Sequence, residues 1–431
     1  MTFPTSLLTR LDLAVRHTTT LGSVMRRLAG LHGEKTFVTE ELDDGERVLS
    51  YTDAAALVDR WSVAVRARSE PGRPVVVAMP NSVDKFLVCL AVARAGGLPA
   101  PVNPQMSEAE IDHVVEDSGA DLVIEDAAEL ERGPGARGAP IEPAEPAVGD
   151  VAALFYTSGT TGRPKGAALT HRALVGQVST AAAWPFGHRR DEIVMSLPVA
   201  HIMGFIALMT PAMAGVPVYF MPRFSPTRVL DVIEERRSTA FIGVPTMYRT
   251  LLEAGAAERD LTSVRVWISG ADVMPTDLAR RFKSFGATAT LPGIGPVGEA
   301  AFAEGYGMVE VAGSVAAKVS PPLLPVGLGD SLGITMPGWR FRVVGEDGRA
   351  VLPGKVGELQ VRGPGVLDGY WGDDEATASA KTPDGWLRTG DLVRSGPFGT
   401  VLFHGRAKAV IKSGGFSVYP LEVESDLEEH P

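Results

Sequence analysis

The chain has 431 residues, of which 45% are hydrophobic and 22% charged, enough to bury large cores. Its formal net charge of -11 argues against a nucleic acid or an anionic membrane as the main partner, because such surfaces repel an acidic protein. A single cysteine, Cys89, excludes an internal disulfide, and the eight histidines show no H-E-x-x-H or Cys/His ligand spacing, so nothing indicates zinc or secretion.

The first twenty residues carry Arg10, Asp12 and Arg16 among their apolar positions and hold no uninterrupted apolar run, which speaks against a signal peptide and makes the cytoplasm the expected location. Residues 50 to 100 alternate in type. Tyr51 to Arg68 has a helical period, Pro74 to Met79 reads as a buried strand, and Ser82 to Ala95 reads as a helix closed by Gly96 and Gly97. Leu98 to Val102 and Leu122 to Ile124 add short strands around a helix from Ser107 to Asp117, the pattern of a mostly parallel sheet. Residues 132 to 150, rich in Gly, Pro and Ala, read as a linker.

The linker leads to the apolar strand Val151 to Tyr156 and the loop YTSGTTGRPKG, residues 156 to 166. Thr157, Ser158, Thr160 and Thr161 offer hydroxyls, Gly159 and Gly162 let backbone N–H groups approach an anion, and Lys165 adds a mobile positive charge. That chemistry suits a polyphosphate. The spacing is not that of a P-loop, because an apolar stretch follows Lys165 and Gly166 where a helix would begin. A solvated Gly/Ser/Thr surface loop is the plainer alternative.

A helix is expected from His171 to Ala183 and strands at Ile193 to Leu197, Thr239 to Val244 and Val264 to Ser269. Met195 to Pro222 contains no Asp, Glu, Lys or Arg, but four prolines and His201 divide it, so a buried pocket wall is expected rather than a membrane span. Gly293 to Gly298 matches G-x-G-x-x-G, yet Pro292 and Pro296 disturb the required strand–turn–helix context, and a longer connection acting as a lid is the expectation there. Residues 336 to 364 read as short strands with GEDG as a hairpin turn, a small β subdomain.

The loop string resembles the phosphate-binding signature of the adenylate-forming superfamily, which includes acyl- and aryl-CoA synthetases, peptide-synthetase adenylation domains and luciferases. LPVAHIMGF, SGADVMP, GYGMVE, GWLRTGDLV and HGRAKAVIKSGGFSVYPLEVE resemble further superfamily segments in order, from about residue 50 to Pro431. The resemblance implies an α/β fold: a large N-terminal domain over residues 1–408, with two α/β sheet subdomains and a small β-barrel-like one, then a hinge and the start of a truncated small domain over 409–431. It places Thr157, Ser158, Gly159, Thr160, Thr161, Gly162 and Lys165 on the phosphates, and Gly270, Ala271 and Asp272 against adenine. Gly305, Tyr306, Gly307, Met308 and Val309 join the nucleotide site, with Tyr306 stacking on adenine. Asp391 and Arg406 are placed near the ribose.

Magnesium is assigned to Thr161 and Glu310, catalysis to Lys165, Thr161, His201 and Glu310, and the acyl pocket to Ala200, His201, Ile202, Phe205 and Gly305. The implied reaction is ATP-dependent activation of a carboxylic acid, fatty or aryl, to an acyl-adenylate, with transfer to CoA in the complete enzyme or to a carrier-protein thiol; a homodimer is left open. A lone histidine such as His201 is otherwise a satisfied core residue, and Asp391 an ordinary turn residue. Three departures stand out: Ala200 replaces an aromatic residue, Val309 a threonine, and Ala409 the charged hinge residue. They keep open a degenerate nucleotide- or acyl-adenylate-binding protein, while a luciferase-like oxygenase has no specific sign. Ending at Pro431, the chain is expected to bind ATP and acid but to adenylate poorly.

Overall fold

The computed structural model describes residues 3–103, 105–135, 142, 144–157, 163–183, 191–324, 329, 331–396, 400–409, 411–413 and 416–418. Near the N-terminus, three short parallel strands, Leu98–Pro101, Pro74–Val77 and Leu122–Ile124, pair in that order. Helices Tyr51–Arg66 and Val83–Arg94 connect and cover this region, and their starts are written in the sequence. Ser50 accepts from the Asp53 N–H while the Asp53 carboxylate accepts from the Ser50 N–H, a capping box; Ser82 caps the second helix through the Lys85 N–H. Val83–Arg94 is buried nearly all round, including Lys85, whose ammonium donates to the carbonyls of Met79 and Val102 in place of a carboxylate partner.

A nine-stranded mixed sheet forms the second large element. In it Ile193–Met195, Ala240–Gly243, Val266–Gly270 and Ala301–Met308 lie parallel side by side. Alternation sends Val194, Phe241 and Trp267 to one face, where they pack into an aromatic-rich core. The other face looks toward the Ile202–Ala214 helix. That helix is apolar all round and 13 residues long, a core helix too short to span a bilayer; no described helix is long and apolar enough to do so. Residues 172–183 are helical as expected but irregular, passing from a π turn at Arg172–Gly176 through Gln177–Ser179 to a 3-10 turn at Thr180–Ala183.

A four-stranded antiparallel sheet, Arg340–Val344, Val356–Arg362, Leu387–Ser395 and Val401–Arg406, forms the expected β subdomain. Its GEDG turn closes through the Gly345 N–H and the Arg349 carbonyl. One expectation is corrected. Residues 289–297 form a short hairpin, Ala289–Leu291 with Gly295–Val297, rather than a lid: Gly293 and Gly295 take positive φ, and none of its residues borders the cavity described below.

Candidate functional site

The strands that flank the expected phosphate loop form a hairpin. Val151–Thr157 and Lys165–Thr170 pair antiparallel so that Thr157 faces Lys165 across the open end, which presents a hydroxyl and an ammonium on either side of the loop. Residues 158–162 lie outside the described residues, so Ser158, Gly159, Thr160, Thr161 and Gly162 have no structural account here. Gly166 packs closely: a Cβ there would lie 3.0 Å from the Tyr156 ring, which would have to shift by a few tenths of an ångström to admit it.

Residues 367–373 lie along this hairpin. Asp368 and Trp371 donate their N–H groups to the carbonyls of Ala168 and Gly166, and Gly369–Tyr370 pairs with the strand. This register brings distant charges together. The Lys165 ammonium meets the Asp373 carboxylate at 2.9 Å, and Asp373 also caps the Asp374–Ala380 helix through the Ala376 N–H at 2.8 Å. The same strand places the Tyr370 hydroxyl 2.9 Å from Glu310, to which it donates. Glu310 follows the strand Ala301–Met308 in a single 3-10 turn, and Gly307 in that strand approaches Gly313 so closely that a Cβ would collide with the Gly313 carbonyl. Burial, followed by the neighbouring Glu310 and Asp373 charges, pushes the Tyr370 phenol above its ordinary range.

Lys165, Glu310 and Tyr370 face one cavity of about 1380 Å³, above the roughly 300–1,000 Å³ of a pocket for one small ligand, while Asp373 stands behind Lys165 outside its wall. Tyr156, Thr157, Lys165, Glu310 and Tyr370 line its polar end. Gly270, Ala271, Gly305, Gly307, Met308 and Val309 form a backbone-rich shelf at the carboxyl ends of the parallel strands, where ligands of open α/β sheets bind. Ala271 holds φ at 69°, a left-handed conformation uncommon for a residue with a Cβ.

His201 and Ile202 border the apolar side. His201 is the N-cap of the Ile202–Ala214 helix, its Nδ1 accepting from the Met203 N–H at 3.2 Å. Asn81 anchors the preceding segment by accepting from the Val199 N–H at 2.9 Å. His201 is solvent-accessible, yet the protein packed around it lowers its pKa by desolvation.

Other predicted residues are placed differently. Phe205 turns away into an aromatic cluster with Phe86 and Phe155, and neither it nor Ala200 borders the cavity. Asp272 is exposed and accepts from the Val273 N–H, outside the cavity wall. Tyr306 and Asp391 face each other instead of the cavity: the Tyr306 hydroxyl donates to Asp391 Oδ2 at 2.5 Å. Arg406 Nε lies 2.7 Å from Asp391 Oδ1, close enough for an ion pair but without hydrogen-bond alignment, so this buried oxygen has no hydrogen-bond donor. Burial raises the Asp391 pKa, against the lowering influence of Arg406 and Tyr306. Arg406 and Ala409 do border the cavity.

Sequence reasoning missed Tyr370, Asp373 and an ion pair between Asp191 and Arg265 at the far end of the cavity. Asp373 reads as an ordinary N-cap in the sequence; its partner lies 208 residues away.

Comparison with known proteins settles the lineage. The profile of the family described as AMP-binding enzyme matches residues 25–371. The chain belongs to that family. Over 414 residues it is 33% identical to a feruloyl-CoA synthase of Amycolatopsis sp, covering 90% of this chain and 79% of that protein. Indoleacetate–CoA ligase of Aromatoleum aromaticum is 32% identical over 442 residues, with coverage of 94% and 82%. Among solved structures, ATP-bound MatB from Rhodopseudomonas palustris superposes with a TM-score of 0.81 at 29% identity, covering 96% of this chain and 84% of that one. O-succinylbenzoate coenzyme A synthetase from Bacillus subtilis, in complex with ATP and magnesium ion, gives 0.80 at 26% identity over 94% and 84%. This AMP-binding enzyme therefore shares the mixed α/β architecture of adenylate-forming enzymes.

Proposed function

We propose that this enzyme activates a fatty or aryl carboxylic acid with ATP, forming an acyl-adenylate and releasing pyrophosphate, and that CoA accepts the acyl group in the second step. The observation that carries the proposal is the single cavity. It joins a polar end bearing Lys165 and Glu310 to an apolar arm behind His201, room for a nucleotide and an acid side by side. Residues 1–408 would hold both substrates, with 409 onward acting as hinge and small domain.

In the first step a carboxylate oxygen attacks the α-phosphorus, an acyl–oxygen–phosphorus bond forms, and the bond to pyrophosphate breaks. The chain's contribution is positioning and charge neutralisation. Lys165, together with the loop donors, would hold the phosphates, and the shelf from Gly270 to Ala271 would receive the base. His201, neutral at pH 7, would border the carboxylate without adding charge.

Magnesium fits through one protein carboxylate: Glu310 lines the cavity with Oε1 already oriented by Tyr370, and the described residues contain no cluster of three or more potential ligands. A magnesium ion carried mainly by ATP phosphates needs only one or two such carboxylates, Glu310 and, from the loop, Thr161 as a further oxygen. When bound, it neutralises charge on the polyphosphate.

A second reading, a protein that binds nucleotide or acyl-adenylate with little turnover, is favoured by Val309 and Ala409, which both present apolar side chains to the cavity. ATP–pyrophosphate exchange across a panel of carboxylic acids separates the two. Acid-dependent exchange is expected. Tight AMP binding with no exchange for any acid supports the second reading, and no nucleotide binding at all overturns both.

A further inference from the structure

We infer that the acid is an unbranched aliphatic one of medium to long chain, its tail lying in a slot between the Ile202–Ala214 helix and the parallel strands; this rests on the proposed acid activation. The slot follows from strand register. Ala240 pairs with both Ile193 and Val266, so these three form one row across the sheet at the amino ends of the strands. Two residues further, Ile242 pairs with Ile268, and two further still Gly270 pairs with Gly305 on the nucleotide shelf. Side chains alternate along a strand, so these rows share the face that borders the cavity.

The helix supplies the opposite wall. Met203, Ile206, Thr210 and Ala214 line the cavity at helical spacing, one stripe along the whole helix. From Gly270 to Val266 the strand runs about 13 Å at 3.3 Å per residue. From Met203 to Ala214 the helix runs about 16 Å at 1.5 Å per residue. An extended alkyl chain with 1.5 Å bonds at near-tetrahedral angles advances roughly 1.25 Å per bond, so the slot holds about 10 to 13 carbons.

Three features favour an alkyl tail over an aryl group. Between its ends the slot is lined mainly by apolar side chains, with Thr210 and Ser269 as polar interruptions and Thr239 beside the lowest row; among the described residues the aromatic rings on the cavity wall, Tyr156, His201 and Tyr370, lie outside this stretch, nearer the polar end. A single-ring acid leaves the lowest row uncovered. Finally, the far end is a polar rim: Arg265 and Asp191 pair at 3.3 Å with side chains 37% and 22% exposed, so a tail longer than the slot emerges into solvent.

The test uses non-reactive acyl-adenylate analogues, 5′-O-(N-acylsulfamoyl)adenosines with linear C4, C8, C12 and C16 acyl groups and one cinnamoyl group, titrated calorimetrically. Affinity should rise about three- to fourfold per methylene through C8, level off near C12, and exceed that of the cinnamoyl analogue. Ala240→Leu fills the lowest row from the sheet and Ala214→Leu from the helix, and each should reduce the C12-to-C4 affinity ratio about tenfold or more. Affinities flat with chain length, a cinnamoyl analogue tighter than C12, or an unchanged ratio in a folded variant would overturn the inference. The wild-type profile decides even if neither variant folds. Loss of AMP binding together with every analogue would instead remove the proposed function itself.

Discussion

Val309 offers a test of whether one side chain sets a rate without changing the fold. It is 8% exposed and borders the cavity next to Glu310, where the resemblance implies a threonine hydroxyl. Val309→Thr keeps the shape and adds a donor. If that hydroxyl meets phosphate in the transition state, it contributes about 1.5 to 3 kcal/mol, roughly 10- to 150-fold in pyrophosphate exchange. Without nucleotide the same hydroxyl is poorly satisfied, so the urea midpoint of the apo-protein should fall while exchange rises. Exchange that stays level would mean the turn is built around valine.

Tyr306 presents the opposite case, a polar group whose partner is internal. Among the described residues its hydroxyl is the one hydrogen-bond donor to the buried Asp391 carboxylate, and Tyr306→Phe removes it. The variant should lose about 1 to 3 kcal/mol of unfolding free energy. Saturating AMP should narrow the deficit, because a ribose hydroxyl can replace the missing donor; an equal deficit with and without AMP would detach Asp391 from the nucleotide.

At the scale of elements, the charge on Lys165 is governed by a helix end. Asp373 holds it while capping Asp374–Ala380, and ATP phosphates would have to compete for the same ammonium. Asn caps as well as Asp, so Asp373→Asn removes the competitor and keeps the helix. Both side chains are about a third exposed, which limits the pair to about 0.2 to 1 kcal/mol. ATP affinity measured calorimetrically should tighten by up to about fivefold, more at low salt than at high. A weaker affinity would show that Asp373 orients Lys165 instead of withholding it.

The junction after Lys165–Thr170 gives the fold a pH dependence. His171 is buried, accepts from the Leu21 N–H at 3.0 Å, and has its pKa lowered to about 4 by desolvation, with Asp150 opposing. The unfolded chain, with an ordinary histidine pKa near 6.5, takes up the proton first as pH falls. Stability from this group is therefore full above about pH 6.5, declines toward pH 4 and then levels, an effect of up to roughly 3 kcal/mol. His32, lowered to about 4 chiefly by burial, adds to the same window. His171→Asn keeps an acceptor for Leu21 but does not titrate, so its denaturation midpoint should fall less between pH 7 and 4.5 than that of the wild type. Equal slopes would assign the pH response elsewhere.

For the whole molecule, a ligand bound on the shelf would also hold its parts together. The cavity wall draws on the phosphate hairpin, the nine-stranded sheet and, through Arg388, Thr389 and Arg406, the antiparallel subdomain. A nucleotide bridging them favours the folded state by mass action. At a hundredfold excess over Kd, ATP should stabilise the enzyme by about 2.7 kcal/mol, read as a rise in the thermal midpoint. A ligand that binds without moving the midpoint would lie outside this junction.

The sequence by itself determined the elements whose signals are local. Helical period marked Tyr51 to Arg68, a short apolar run marked the strand Val151 to Tyr156, and Gly and Thr clustering marked the loop expected to hold phosphate. Composition also marked Met195 to Pro222 as an uncharged pocket wall. What tertiary structure decided were relations across long stretches of chain: Lys165 with Asp373, Glu310 with Tyr370, Tyr306 with Asp391, and Asp191 with Arg265. None follows from spacing, because each depends on which strands pair and in what register. The same limit explains Phe205, which has the composition of a pocket residue but, on a helix apolar all round, falls on the face buried against Phe86 and Phe155. Periodicity distinguishes faces only when one of them is polar. Where both are apolar, packing alone determines which borders the substrate.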